Sequence, residues 1–186
     1  MKFISFNHDN SEKFGIIENN LITDLTGKID GALSLKELIK IKKIKEAKEY
    51  AKSNPGSIKP DEIKYSPLIP NPGKIICVGL NYSEHVKETN RTVEENPVIF
   101  HRFPESQTAH MQAIQRPTVS ESLDFEGEMA VIMGEGGKHI KPEDALKHIV
   151  GFSCYNESTI REWQRHTRQF GMGKNFEKTG SFGPHM

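Results

Sequence analysis

The stretch Asp124-Phe125-Glu126-Gly127-Glu128-Met129-Ala130-Val131-Ile132-Met133-Gly134 constrains the fold more than any other. Its β-favouring apolar half predicts a buried strand, and because strand side chains alternate faces, Glu126 and Glu128 point the same way. Phe125, Met129 and Val131 are then expected to pack the opposite face, while Gly127 lets a ligand or another backbone come close. Two such carboxylates repel unless a proton or a cation lies between them, and a hard divalent cation suits an oxygen-only pair. The same alternation also fits the solvated face of an edge strand.

Upstream, residues 2–6, 13–18 and 21–25 read as a β-meander, with Asn19-Asn20 as a two-residue hairpin turn. Ser34 and Glu37 form a capping box for one lysine-rich helix, its buried face marked by Leu35, Leu38, Ile39, Ala47, Tyr50 and Ala51, that stops at Ser53-Asn54-Pro55-Gly56. The prolines at 60, 67, 70 and 72 place a domain boundary near residue 70. Residues 74–78 and 96–103 read as strands. If a helix begins at Ser83, His85 and Glu88 lie side by side on it, as a general base with its orienting carboxylate or as a surface ion pair. Residues 104–117 read as a loop, either a substrate-contacting segment or a plain connection. Pro142 and the acids after it start a helix. After a strand over 150–155, a helix beginning near Asn156 would align Glu157, Arg161 and Gln164 on one face, as a carboxylate-binding fork or an i,i+4 ion pair.

Acidic and basic residues balance at 25 each, which argues against a nucleic-acid or membrane-surface partner and for a small molecule. The N-terminus lacks the pattern of a signal peptide and no run spans a bilayer, so cytoplasm is the default. Cys77 and Cys154 lie in apolar segments and are expected to be reduced and buried.

Four motifs in order, Gly79-Leu80-Asn81-Tyr82-x-x-His85-x-x-Glu88, Asp124-Phe125-Glu126-Gly127-Glu128, Tyr155-Asn156-Glu157-x-x-x-Arg161-x-x-Gln164 and Gly173-Lys174-Asn175-Phe176, resemble the fumarylacetoacetate hydrolase family from about Lys74 to Pro184. Residues 1–70 read as a small N-terminal α/β domain, a meander plus a helix, and the resemblance implies that 71–186 form part of a mixed β-sandwich roll, an α+β, β-rich chain taken together. It implies a metal-dependent hydrolase or lyase acting on small 2-oxo or 1,3-dicarbonyl acids by C–C hydrolysis, decarboxylation, hydration or isomerisation, and a homodimer. Carried over by motif, Glu126, Glu128 and Glu157 would bind the cation, Mg²⁺ or Mn²⁺ with Ca²⁺ as a further candidate. Glu157 stands where the family has an aspartate one methylene shorter. His85, Glu88 and Lys174 would be catalytic, and Tyr82, Arg102, Arg161 and Gln164 would meet substrate. The family's sequence runs on past the point where this one stops, so the resemblance implies a C-terminally truncated chain with unpaired strand edges and an uncovered apolar face. The alternative expectation is a non-catalytic remnant or assembly partner that keeps the fold.

Overall fold

The computed structural model describes residues 1–82 and 96–186. Strands β1 (Lys2–His8), β2 (Ser11–Glu18) and β3 (Leu21–Asp24) form the expected meander, and β4 (Lys64–Tyr65) joins β1 to give the order β3-β2-β1-β4. Asn19 and Asn20 take φ of 51° and 62°, and Asp9 and Asn10 take 52° and 57°, so both hairpins turn on pairs that tolerate the left-handed region. Gly15 lies where β3 presses closest: a Cβ there would sit 2.2 Å from the Thr23 carbonyl oxygen.

The single lysine-rich helix of the sequence reading is two helices, α1 (Leu35–Lys40) and α2 (Ile44–Ser53). Ser34 Oγ accepts the Glu37 N–H at 3.3 Å, as the capping box requires, while the Glu37 carboxylate reaches back to the Leu33 N–H at 2.7 Å. The helix breaks because Lys42 turns to φ 58° and the Lys43 N–H returns to the Leu38 carbonyl at 3.2 Å. The break lets Leu35, Leu38 and Ile39 from α1 and Ala47 and Ala51 from α2 bury into one cluster with Phe3, Phe14, Ile16 and Leu25. Burying each large aliphatic side chain stabilises by about 1.5–3 kcal/mol.

That cluster continues into the second half through Leu68, Ile132, Tyr155 and Phe182. There β9 (Gly127–Met133), β10 (Ile149–Glu157), β12 (Gly180–Phe182) and β7 (Gln107–Ala109) form a mixed sheet in the order β7-β12-β10-β9, with β12 parallel to β7 and the other pairs antiparallel. In the β9–β10 register Tyr155 faces Glu128 and Asn156 faces Gly127, with a bulge between Ile149 and Gly151. Two short antiparallel pairs flank it: β5 (Ile75–Gly79) with β6 (Val98–Arg102), and β8 (Leu123–Asp124) with β11 (Thr159–Ile160). Helices α3 (Arg161–Arg165) and α4 (Gly171–Lys174) follow β11.

Several expectations need correction. The loop over 104–117 contains β7, because its backbone completes the exposed edge of β12. Residues 142–148 form a 3₁₀ run rather than an α-helix. No helix starts at Asn156: β10 runs through Glu157, held by backbone pairing to Gly127 and Gly180, and helix begins at Arg161. The β9 strand is not buried on its apolar face, since Phe125, Met129, Val131 and Met133 are exposed, with Phe152 beside them. Cys154 is exposed too, and only Cys77 is largely shielded.

Candidate functional site

A cleft of about 1290 Å³ opens between the end of β5, the start of β9 and the two short helices. It is lined by Tyr82, Glu126, Glu128, Glu157, Arg161, Gln164 and Lys174, so seven of the site residues expected from the sequence meet in one place. They arrive by different routes. Glu126 sits in the gap between β8 and β9, outside regular strand, its N–H bonded to Asn156 Oδ1 at 3.1 Å and its carbonyl accepting the Glu157 N–H at 2.7 Å. Asn156 Oδ1 also accepts the Ser158 hydroxyl at 2.9 Å, which fixes the amide. Glu157 is the last residue of β10, and Arg161 and Gln164 lie on α3. Lys174 ends α4, which packs so close to α3 that a Cβ on Gly173 would stand 2.6 Å from the Gln164 nitrogen and from the Ile160 carbonyl oxygen.

The electrostatics are those of a closed ion network. Glu126 Oε1 meets Arg161 Nη1 at 2.6 Å, and its Oε2 meets Lys174 Nζ at 2.6 Å. Lys174 Nζ also donates to the Glu157 carbonyl at 3.2 Å and lies 3.2 Å from Glu157 Oε2. Arg161 spans from Glu126 to Asp124 Oδ2, at 2.8 Å from Nε and 2.7 Å from Nη2, and its Nη1 reaches Gln164 Oε1 at 3.0 Å. Burial pushes the Glu157 carboxyl up, and the charges of Lys174 and Arg102 pull it back only in part. The Glu128 carboxylate beside it, with some burial, holds the Tyr82 hydroxyl above its usual range. Burial, with the Glu157 charge adding to it, pushes the Cys77 thiol up to about 12.

The donors suit a hard divalent cation, because they are carboxylate oxygens only and one cationic atom, Lys174 Nζ, already touches both Glu126 and Glu157. In this structure the Lys174 ammonium is a positive charge shared by those two carboxylates. As placed, the described residues hold no group of three or more His, Cys, Asp or Glu side chains gathered for a metal, so Glu128 would have to turn inward to join the other two.

Arg102 is a correction. It was expected to meet substrate, but its guanidinium is 0% exposed and lies behind the cleft wall, on Glu157, Ser106, Ser158 and Thr179. His85 and Glu88, the expected base and its partner, lie outside the described residues. Asp124, which anchors Arg161, had no assigned role, although its carboxylate two residues before Glu126 was a usable signal. Asn175 was also missed as a brace: its Oδ1 accepts the Phe103 N–H at 2.7 Å, and its Nδ2 donates to the His101 and Gly171 carbonyls at 3.0 Å each.

The C-terminal domain model of fumarylacetoacetate (FAA) hydrolase matches residues 74–186. The mitochondrial oxaloacetate tautomerase of Rattus norvegicus is 38% identical over 124 residues, 66% of this chain and 40% of that protein. That of Xenopus laevis is 36% identical over 143 residues, 76% of this chain and 45% of that protein. The chain thus spans less than half the length of these curated relatives. A solved fumarylacetoacetate hydrolase from psychrophilic Exiguobacterium antarcticum superposes with a TM-score of 0.84 at 30% identity, covering 100% of this chain and 65% of that one. Maleylpyruvate hydrolase from Sphingobium, solved with a manganese(II) ion and pyruvate, has a TM-score of 0.79 at 18% identity, covering 100% of this chain and 66% of that one, a likeness of fold alone.

Proposed function

The chain belongs to the fumarylacetoacetate hydrolase family, and on that premise we propose that its cleft serves a metal-dependent enzyme acting on small 2-oxo or 1,3-dicarbonyl acids. The observation that carries this reading is the Glu126 carboxylate, clamped at 2.6 Å by Arg161 on one oxygen and at 2.6 Å by Lys174 on the other, at the wall of a cleft large enough for such an acid. Loss of a proton, of CO₂ or of an acyl group from the carbon beside an oxo group leaves negative charge on that oxygen. Catalysis needs preorganised positive charge there. Lys174, only 1% exposed yet lining the cleft, supplies it by exchanging one of its present acceptors for the substrate oxygen. Arg161 and Gln164 bind the substrate carboxylate, with Arg161 already aimed by Asp124. Tyr82, beside Glu128, closes the side of the cleft. His85 with Glu88 is proposed as the base. Mg²⁺ or Mn²⁺ would be held by Glu126, Glu128 and Glu157 and, when bound, would draw electron density from the oxo group.

Oxaloacetate is the substrate to try first, being a chelating 2-oxo acid that two relatives are named for. With Mn²⁺ present, enol-to-keto conversion and pyruvate release are followed by absorbance and NMR. Turnover above that of Mn²⁺ alone, abolished by Lys174→Met and by Glu126→Gln, is expected. A parent chain that melts cooperatively, shifts upward with Mn²⁺ and turns over no such acid would refute the enzymatic reading. A second reading, of the chain as a partner in an assembly such as a homodimer, is favoured by the open apolar face of Phe125, Met129, Val131, Met133 and Phe152. Sedimentation of the parent beside Val131→Lys tests it: a monomer in both would rule it out. No helix of the described residues is long and apolar enough to cross a membrane, and placement in the cytoplasm is our proposal beside relatives named as mitochondrial.

A further inference from the structure

Arg102 heads the largest fully buried side chains among the described residues. A guanidinium taken out of water is costly unless its donors are met, and here four of its five N–H groups have partners. Nε donates to Ser106 Oγ at 3.2 Å, Nη1 to Glu157 Oε1 at 3.2 Å and to the Ser158 carbonyl at 3.1 Å, and Nη2 to Thr179 Oγ1 at 2.8 Å. The two hydroxyls are themselves oriented, because Ser106 donates to the Phe103 carbonyl at 2.8 Å and Thr179 to the Phe176 carbonyl at 2.7 Å. Each must therefore present a lone pair to the guanidinium. The slot is cut to shape: a Cβ on Gly180 would stand 2.8 Å from Nη2, and the Tyr155 ring lies 5.8 Å from the guanidinium carbon.

Within this cage the one carboxylate among the described residues is that of Glu157, whose other oxygen faces Lys174 and the cleft. We infer that Arg102 is a positioning residue, whose buried fork fixes the Glu157 carboxylate so that one oxygen is spent on the protein and the other is presented to whatever cation occupies the cleft. A side chain one methylene longer than aspartate has an extra torsion to hold, and a donor on Oε1, Nη1 of a guanidinium itself immobilised by Ser106, Ser158 and Thr179, restricts that freedom. Arg102 and Glu157 then act as one unit. The inference rests on the reading of Glu157 as a cation-binding carboxylate, and the experiment separates the two.

Binding of Mn²⁺ alone is measured by the electron paramagnetic resonance of the free ion, together with thermal melting, for the parent, Arg102→Lys, Arg102→Met, Glu157→Gln and the Arg102→Met/Glu157→Gln double variant. Partners behind a metal's ligands typically carry about 10–100-fold in affinity. Arg102→Lys, which keeps the charge but not the fork, is expected to stay cooperatively folded and to bind Mn²⁺ about tenfold more weakly. In the Glu157→Gln background, changing Arg102 should alter Mn²⁺ affinity no further. Arg102→Lys and Arg102→Met both binding within twofold of the parent would overturn the inference; if Arg102→Met does not fold, Arg102→Lys decides alone. Absence of Mn²⁺ binding by the parent would sink the metal reading, and the positioning role would then stand or fall on melting: shifts of Arg102→Met and Glu157→Gln that simply add show no unit, whereas a double variant no worse than the poorer single shows one.

Discussion

Gly180→Ala tests the packing behind the cleft in one methyl group. Gly180 lies in β12, paired to Glu157 and to Gln107, with no left-handed φ, so the backbone itself tolerates alanine. Space does not. The added Cβ would stand 2.4 Å from the Tyr155 hydroxyl and 2.8 Å from Arg102 Nη2, where ordinary contact begins at 3.4 Å. The hydroxyl must retreat by about 1 Å and the guanidinium by about 0.6 Å, distances that matter in a close-packed interior. Neither gives easily, since Tyr155 stacks at a tilt on Phe182 and Nη2 is pinned by Thr179 at 2.8 Å. Overpacking of this kind costs about 1–3 kcal/mol, and a stretched bond from a charged donor adds about 1 kcal/mol, less up to about 1 kcal/mol regained because alanine suits a strand better than glycine. A net loss of about 2 kcal/mol lowers the melting midpoint of a chain this size by about 4–8 °C. The control is Tyr155→Phe, whose lost hydroxyl has no hydrogen-bond partner among the described residues. Alone it should be close to neutral; combined with Gly180→Ala it should restore about half of the shift. Differential scanning fluorimetry and urea titration read both. A Gly180→Ala midpoint within about 1 °C of the parent, or a double variant no better than Gly180→Ala, refutes the steric account.

Other consequences can be read in parallel. Burial pushes the Asp24 carboxyl up, but the Lys13 ammonium at 2.9 Å and the Thr26 N–H at 2.8 Å outweigh it and leave it below its ordinary value. Its contribution is therefore present above the ordinary carboxylate range and lost as pH falls through the depressed value; Asp24→Asn should cost about 1 kcal/mol at pH 7 in urea titrations and nothing at the acid end. At pH 8 a thiol reagent should label Cys154 rapidly and Cys77 slowly, because Cys154 is exposed and the Cys77 thiol is pushed up to about 12 by burial; equal rates in the folded chain would contradict this. Met129→Lys with Val131→Lys should reduce binding of an apolar dye to the folded protein without lowering its midpoint, since both side chains are exposed; unchanged dye binding would place the apolar surface elsewhere.

What was legible in the sequence was local chemistry. Asn19-Asn20, the Ser34–Glu37 cap and the apolar positions of the two helices each depend on residues a few places apart, so propensity and spacing sufficed. The break at Lys42 left no mark, because a lysine at positive φ is imposed by the packing of α1 and α2 and not by its own preference. Seven of the expected site residues line one cleft, yet from other elements than helical periodicity predicts: Glu157 is presented by a strand end because Gly180 and the Glu126 carbonyl pair its backbone, an interaction helical periodicity cannot see. Arg102 was least legible. Its Glu157 and Thr179 partners are 55 and 77 residues away, and an arginine at the end of a short strand looks like a surface residue until those partners close over it.

The position of β12 has a consequence for how the chain comes into being. It lies between β7 and β10, and its neighbour Thr179 caps the Arg102 guanidinium, so the strand that unites the sheet is synthesised after both of the strands it joins. On a ribosome the meander and its helices have their partners early, whereas residues 107–109 and the buried arginine must wait for residues 179–182 to emerge. Until then the chain carries an unsatisfied cation and two bare strand edges. That interval, more than the finished fold, is when a chaperone would be of use to it.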